Sequence, residues 1–284
     1  MKFSYFFTFV FCLGFYHSIA VTITEGLYKG IEHFIVYTKY ATYYYDKSGG
    51  AFSRIVDKQG NDWVGFKKDP WETYPESAAS SFRGVPNLVY ESDDHGVGMP
   101  GYEKCSSEKI GRRSIQTTSL SGKWQWTWVF HKKYAELIIE KIDANHKYGF
   151  MYNGIIAGRF NPDNQYYGTN LGGPIFKKYD LYQGEKIYGN WQWSYFGDRD
   201  FNRVFFVASA NPEHHIDSYS ILGNSSKGID SENGMVTFGF GVREGFSGQL
   251  REEDAHFLIG FIHKRIEKPK DHLKIKKLIE GYMK

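Results

Sequence analysis

Along most of the chain, apolar and polar residues alternate one by one instead of recurring at helical spacing. From Lys123 to Phe130, the side chains of Trp124, Trp126, Trp128 and Phe130 fall on one face of an extended strand, and Gln125, Thr127 and Val129 fall on the other. The same period of two runs through Trp191-Gln192-Trp193-Ser194-Tyr195-Phe196. It predicts further strands at Phe34–Thr38, Ala41–Tyr45, Phe52–Asp57, Ala135–Ile142, Tyr148–Tyr152, Arg203–Ala208, Met235–Phe240 and Phe257–His263. Breaks such as Ser48-Gly49-Gly50, Gln59-Gly60-Asn61-Asp62 and Glu232-Asn233-Gly234 separate them, as the turns of antiparallel sheets require. Near the end, Ile275, Leu278, Ile279 and Tyr282 recur at i, i+3, i+4 and i+7 after Pro269, with Lys274, Lys276 and Lys277 between them. This predicts a short helix that packs one stripe on a sheet and solvates the other. The expected fold is all-β: a large antiparallel two-sheet β-sandwich, jelly-roll or supersandwich-like, with a short C-terminal helix.

Residues 67–122 break the strand rhythm, being rich in Gly, Pro, Ser, Asp and Glu. A long irregular segment in a compact domain is usually either a functional loop or a disordered one, and Arg83, Asn87, His95 and Tyr102 favour the former. At the start, Lys2, an apolar stretch from Phe3 to Tyr16 and the small-x-small Ser18-Ile19-Ala20 read as a signal peptide over residues 1–20. The stretch is shorter than the roughly 20 residues of a spanning helix, so no membrane anchor is expected. Residues 21–284 are then a single exported domain, periplasmic or secreted. Within it Cys105 is alone, so the core rather than a disulfide holds the fold.

Composition narrows the function. Hydrophobic residues are 41% and aromatics 18% of the 284, which excludes disorder. The net charge of +3 makes nucleic-acid binding by bulk charge unexpected. There is no Gly-x-Ser-x-Gly elbow, phosphate-binding loop, His-Glu-x-x-His or paired-cysteine pattern, so neither a metal nor an organic cofactor is expected. His214-His215 with Asp217 is the nearest to a metal pattern, but adjacent strand residues point to opposite faces. The abundance of Tyr and Trp suits stacking on sugar rings, with Asn, Gln and Arg bonding hydroxyls; a sandwich core would absorb the same residues. The loop Phe82-Arg83-Gly84-Val85-Pro86-Asn87-Leu88, followed by Asp93-Asp94-His95-Gly96, offers a cation, an amide and an imidazole close together. Such a set can neutralise a substrate carboxylate and abstract a proton beside it. Tyr152-Asn153-Gly154, Gly158-Arg159-Phe160 and Tyr195-Phe196-Gly197-Asp198 are glycine-flanked strand ends, where a ligand can approach the backbone.

The runs Ala41-Thr42-Tyr43-Tyr44-Tyr45-Asp46-Lys47-Ser48-Gly49-Gly50, Asp57-Lys58-Gln59-Gly60-Asn61-Asp62-Trp63, Arg83-Gly84-Val85-Pro86-Asn87-Leu88 and Trp191-Gln192-Trp193-Ser194-Tyr195-Phe196-Gly197-Asp198 resemble secreted proteins of marine polysaccharide-degrading bacteria. That group includes ulvan lyase-like and ulvan oligosaccharide dehydratase-like members. The resemblance implies a carbon–oxygen lyase acting by β-elimination on an anionic, uronate-containing oligo- or polysaccharide. In a uronate the C5 hydrogen is α to the carboxylate, so neutralising that group makes proton removal feasible. On this reading His95 is the base, Tyr195 or Tyr152 the acid, Arg83 and Asn87 surround the carboxylate, and Trp191, Trp193 and Arg159 shape the sugar sites. Two alternatives stand beside it: a non-catalytic carbohydrate-binding protein, and a sugar mutarotase or epimerase. Glycoside hydrolysis has only Asp93, Asp94, Asp198 and Asp217 as unpaired candidates.

Overall fold

The structure is a computed structural model that describes residues 20–68, 83–176, 183–211, 215–222, 234–242 and 247–284; residues 1–19 of the expected signal peptide, Phe82, His214 and Glu232-Asn233 of an expected turn lie outside these. In chain order the strands are β1 (Thr22–Tyr28), β2 (Ile31–Tyr37), β3 (Ala41–Asp46), β4 (Ala51–Asp57), β5 (Cys105–Lys109), β6 (Ser114–Ser119), β7 (Gln125–Phe130), β8 (Tyr134–Lys141) and β9 (Phe150–Gly154). There follow β10 (Gln165–Thr169), β11 (Gly172–Ile175), β12 (Gln183–Gly189), β13 (Trp193–Asp198), β14 (Val204–Ser209), β15 (Asp217–Leu222), β16 (Met235–Phe240), β17 (His256–Ile262) and the helix α1 (Pro269–Tyr282).

One layer is a nine-stranded antiparallel sheet in the order β11-β10-β13-β14-β17-β8-β7-β6-β5. The other is made of two four-stranded sheets, β1-β2-β3-β4 and β12-β15-β16-β9. The segment Gly84–Leu88 joins these two. Phe52 N–H donates to the Val85 carbonyl at 2.7 Å, Gly84 and Asn153 exchange bonds of 2.8 and 2.9 Å, and Met151 N–H donates to the Pro86 carbonyl at 2.6 Å. The second layer is therefore continuous from β1 to β12 through this seam, and the two-sheet antiparallel sandwich with a C-terminal helix is the observed fold.

The strands expected from alternation are present, with ends displaced by a few residues. The segment expected to be irregular is a correction. It contains β5, the edge strand, and β6 beside it, whose sequences CSSEK and SIQTTS bury one apolar residue each, Cys105 and Ile115, so they carry no alternating apolar signal. Between the layers, Trp126, Trp128 and Phe130 of β7 meet Tyr43, Tyr45 and Phe52, with the Phe52 and Trp128 rings 4.7 Å apart edge to face. The Tyr45 hydroxyl is paired there with Trp126 Nε1 at 3.0 Å and Thr117 Oγ1 at 2.7 Å.

The helix starts with Pro269 in its first turn, where the missing N–H costs nothing. It lies against the outward face of the nine-stranded sheet, burying Ile275 and Ile279 on Tyr166, Trp193, Tyr195, Phe206 and Leu258. Each such isoleucine contributes about 1.5–3 kcal/mol by burial.

Candidate functional site

The structure separates the residues that the sequence grouped. Tyr152 points between the layers, fully buried, and its hydroxyl donates to the Trp63 carbonyl at 2.6 Å. Tyr195 lies on the opposite side of the nine-stranded sheet, under α1, with its hydroxyl 3.1 Å from His272 Nδ1. Burial raises both phenols well above the ordinary tyrosine value. Trp193 is beside Tyr195 under the helix, whereas Trp191 stacks on Phe238 inside the sandwich. Neither indole offers an open platform, because alternation reports that a face is apolar and not whether another element covers it.

The two arginines are also committed to protein partners. Arg83 is buried and donates to the carbonyls of Gly65 at 2.9 Å and Gly234 at 2.8 Å, and burial pulls its pKa down to about 10. Arg159 pairs with Asp198, at 3.2 Å, and Asp200. His215 meets Glu252 at 3.2 Å, and among the described residues no three His, Cys, Asp or Glu side chains are placed to hold a metal ion.

Asn87 and His95 do come together, through Tyr90. Asn87 takes a left-handed backbone conformation, φ 45°, and its side chain bonds the Tyr90 hydroxyl. Asn153 Nδ2 donates to the same hydroxyl at 3.3 Å. His95 is exposed and its Nδ1 is 2.8 Å from the Tyr90 carbonyl, which can only accept. That contact fixes the tautomer with the proton on Nδ1 and leaves the Nε2 lone pair available as a base. The Tyr102 ring stands edge-on to the imidazole, 5.5 Å between centroids.

Asn153 opens onto a feature that the sequence conceals. On β9, β16 and β15 the large side chains Tyr152, Phe238 and Tyr219 face the core, so Asn153, Thr237 and Ser220 face outward. The register places Asn153 opposite Thr237 and Thr237 opposite Ser220, with Lys186 of β12 next. On the other side Gly84 pairs with Asn153, and the Phe52–Val85 bridge sets Gly84 opposite Ser53 of β4. Ser53 Oγ is 2.7 Å from His33 Nε2. A row of polar residues thus crosses the second layer from His33 to Lys186. Gly84 belongs to it by necessity, since a Cβ there would lie 2.5 Å from Pro100 Cδ and 2.6 Å from Asn87 Oδ1.

Asn153, Thr237 and Ser220 are no more than 1% exposed, yet Asn153 Oδ1, Thr237 Oγ1 and Ser220 Oγ have no hydrogen-bond partner among the described residues. A buried polar atom without a partner costs about 1–3 kcal/mol, and three in register are an unusual concentration of that cost. Hydroxyl groups of a ligand laid along the row would satisfy them.

No protein-family model matches the chain, and no curated protein matches it. Solved structures do. The candidate mutarotase YeaD from Salmonella typhimurium superposes with a TM-score of 0.54 at 10% identity, over 86% of this chain and 94% of that one. The protein HI1317 gives 0.52 at 9% identity, over 86% of this chain and all of the other. The heparan sulfate lyase HepC from Pedobacter heparinus gives 0.41 at 10% identity, over 87% of this chain and 36% of that one. The chain shares its overall fold with YeaD and HI1317. At these identities the likeness is one of fold, and function rests on the site.

Proposed function

We propose that the protein is a carbohydrate-active enzyme that moves protons on a sugar, with aldose mutarotation or epimerisation as the reaction the geometry supports best. The observation that carries this reading is the row of unpaired oxygens on Asn153, Thr237 and Ser220, linked through Tyr90 to a histidine whose Nε2 is free to accept a proton. The row would hold ring hydroxyls. His95 Nε2 would take the proton from the anomeric hydroxyl while Tyr102 gives its phenolic proton to the ring oxygen; the C1–O5 bond breaks, the open aldehyde forms, and reversal of both transfers closes either anomer. The mutarotase-like fold supports this assignment as an analogy.

A second reading keeps the same base. His95 would remove C5–H of a uronate, with the amides of Asn87 and Asn153 beside Tyr90 polarising its carboxylate. This is the elimination expected from the resemblance to ulvan-degrading proteins, and a leader such as the one expected over residues 1–20 would give either reading a periplasmic or secreted setting. Exchange between anomers of freshly dissolved galactose, glucose and glucuronate, measured by polarimetry and two-dimensional NMR, tests the first. Absorbance of an unsaturated uronate formed from ulvan oligosaccharides tests the second. His95→Ala is expected to lower the active rate about 10²–10⁴-fold with the fold intact, as the ring is exposed. Binding without exchange or elimination would leave a carbohydrate-binding protein.

A further inference from the structure

One side of the C-terminal helix is covered by the sheet, and the other is a strip of cations. Residues 263–284 carry eight Lys and Arg against three Asp and Glu, so this short segment holds a larger positive excess than the +3 of the whole chain. His272, Ile275 and Ile279 turn to the sheet, and the helical period then puts Lys270, Lys274 and Lys277 on the opposite side, all exposed. Lys268 precedes them and Lys284 follows, both exposed as well. Every acid of the segment is already paired: Asp271 with Lys264 at 3.2 Å, Glu267 with Arg265 at 3.0 Å and Glu280 with Lys276 at 3.6 Å. Lys268, Lys270, Lys274, Lys277 and Lys284 are left without a salt bridge among the described residues, and Lys274 acts on Asp271 only at longer range.

Neighbouring turns extend the strip. The Tyr134 ring stacks on Tyr282, 4.9 Å between centroids, which brings the exposed Lys132 and Lys133 of the β7–β8 turn beside the end of the helix. Tyr40 is close enough to act on the Tyr282 phenol, and the exposed Lys39 comes with it. Glu136, next to that turn, is held between His131 Nε2 at 3.1 Å and His256 Nδ1 at 2.8 Å.

Among the helix lysines stand two exposed leucines, Leu273 at 57% and Leu278 at 40%. The combination discriminates between anionic partners. Lysine is a point charge without the fork that reads a fixed pair of oxygens, so a row of lysines suits a layer of headgroups better than one particular anion. Leucines gain nothing beside a hydrated polymer such as nucleic acid, but at a bilayer they reach the boundary of the acyl chains. Each lysine brought to an anionic lipid surface raises partitioning about fivefold.

We infer that the exposed side of α1, with Lys270, Leu273, Lys274, Lys277 and Leu278, docks the protein on a membrane surface rich in anionic phospholipid. The contact is peripheral, since no helix among the described residues is long and apolar enough to cross a membrane. The helix lies on the outward face of the nine-stranded sheet and the Asn153–Thr237–Ser220 row on the outward face of the second layer, so a protein docked in this way turns the row away from the bilayer. The inference does not depend on what the row binds.

The test is cosedimentation of the purified protein with vesicles of phosphatidylcholine, alone or with about a third phosphatidylglycerol, alongside retention on double-stranded DNA as a soluble polyanion. Binding is expected to the anionic vesicles only, and it should fall steeply as salt screens the surface charge. The triple variant Lys270→Gln, Lys274→Gln, Lys277→Gln should lower partitioning about tenfold or more. Leu273→Ser leaves the charge unchanged and should lower it about threefold or more. All four side chains are exposed, so the melting temperature should stay at the wild-type value. Lys58→Gln with Lys109→Gln, both exposed elsewhere, should leave partitioning nearly unchanged. Equal binding to both kinds of vesicle, an undiminished triple variant, or an equal loss in the Lys58 and Lys109 variant overturns the inference. Retention on DNA without vesicle binding, or an unaffected Leu273→Ser, overturns lipid as the partner.

Discussion

Two outward faces of this sandwich are equally well buried and chemically opposite. On the nine-stranded sheet, Tyr166, Trp193, Tyr195, Phe206 and Leu258 are closed over by Ile275 and Ile279, and both phenols have partners, Tyr195 in His272 and Tyr166 in the Ile266 N–H. On the second layer, Asn153, Thr237 and Ser220 are as deeply buried and carry three oxygens without partners. Burial alone does not tell the faces apart; accounting for hydrogen bonds does. The helix face leaves over a single donor among these groups, Trp193 Nε1, next to apolar neighbours, which suits packing. The second layer leaves contiguous acceptors in register, which suits a ligand.

Truncating the helix face is expected to have the largest effect. Trp193→Ala should cost about 3–5 kcal/mol in urea unfolding, while the folded fraction keeps its sugar affinity. A specific loss of affinity would put Trp193 in the site and break the comparison. A buried polar group that does have partners sharpens it. Asp217 accepts the N–H of Trp191 at 2.7 Å and of Gly241 at 3.0 Å, yet burial raises its pKa to about 7. The native state then holds this proton more tightly than the unfolded chain, so the contribution is fully present below the unfolded value near 4 and is lost as pH rises to about 7. The slope approaches about 1.4 kcal/mol per pH unit in that window. Asp217→Asn should flatten that slope in denaturation series at successive pH values.

The smallest pair of changes has opposite signs. Thr237→Val removes a hydroxyl without a partner among the described residues and should stabilise the protein by about 1 kcal/mol, while sugar affinity, on the role proposed for the row, should fall. Tyr195→Phe removes a paired hydroxyl and should destabilise by about 1 kcal/mol. Equal signs in thermal denaturation would show that the two faces do not differ as described.

Much of the fold was legible because alternation survives wherever one side of a strand meets the core, as in Trp126, Trp128 and Phe130. It failed at β5 and β6, where a single apolar residue in each marks the buried face, and at Tyr195 and Trp193, where a helix far along the chain decides what is covered. Half of the candidate site was legible in the same way. Asn87 and His95 stood out as polar residues in a glycine-rich loop. Thr237 in Met235–Phe240 looked like any strand threonine, since lacking a partner is a property of three strands at once.

The seam at Gly84–Leu88 also bears on how the molecule is made. Hairpins such as β1–β2 and β7–β8 close short loops, but Gly84 meets Asn153 only after the chain has run through β5, β6, β7 and β8. Contacts of such high sequence separation carry a larger closure entropy and set slow folding for a given size. The polar row crosses this seam and also the β9–β16 pairing, whose partners Asn153 and Thr237 are still further apart in sequence, so the row is completed only by long-range pairings, and recovery of binding during refolding should trail recovery of strand signal.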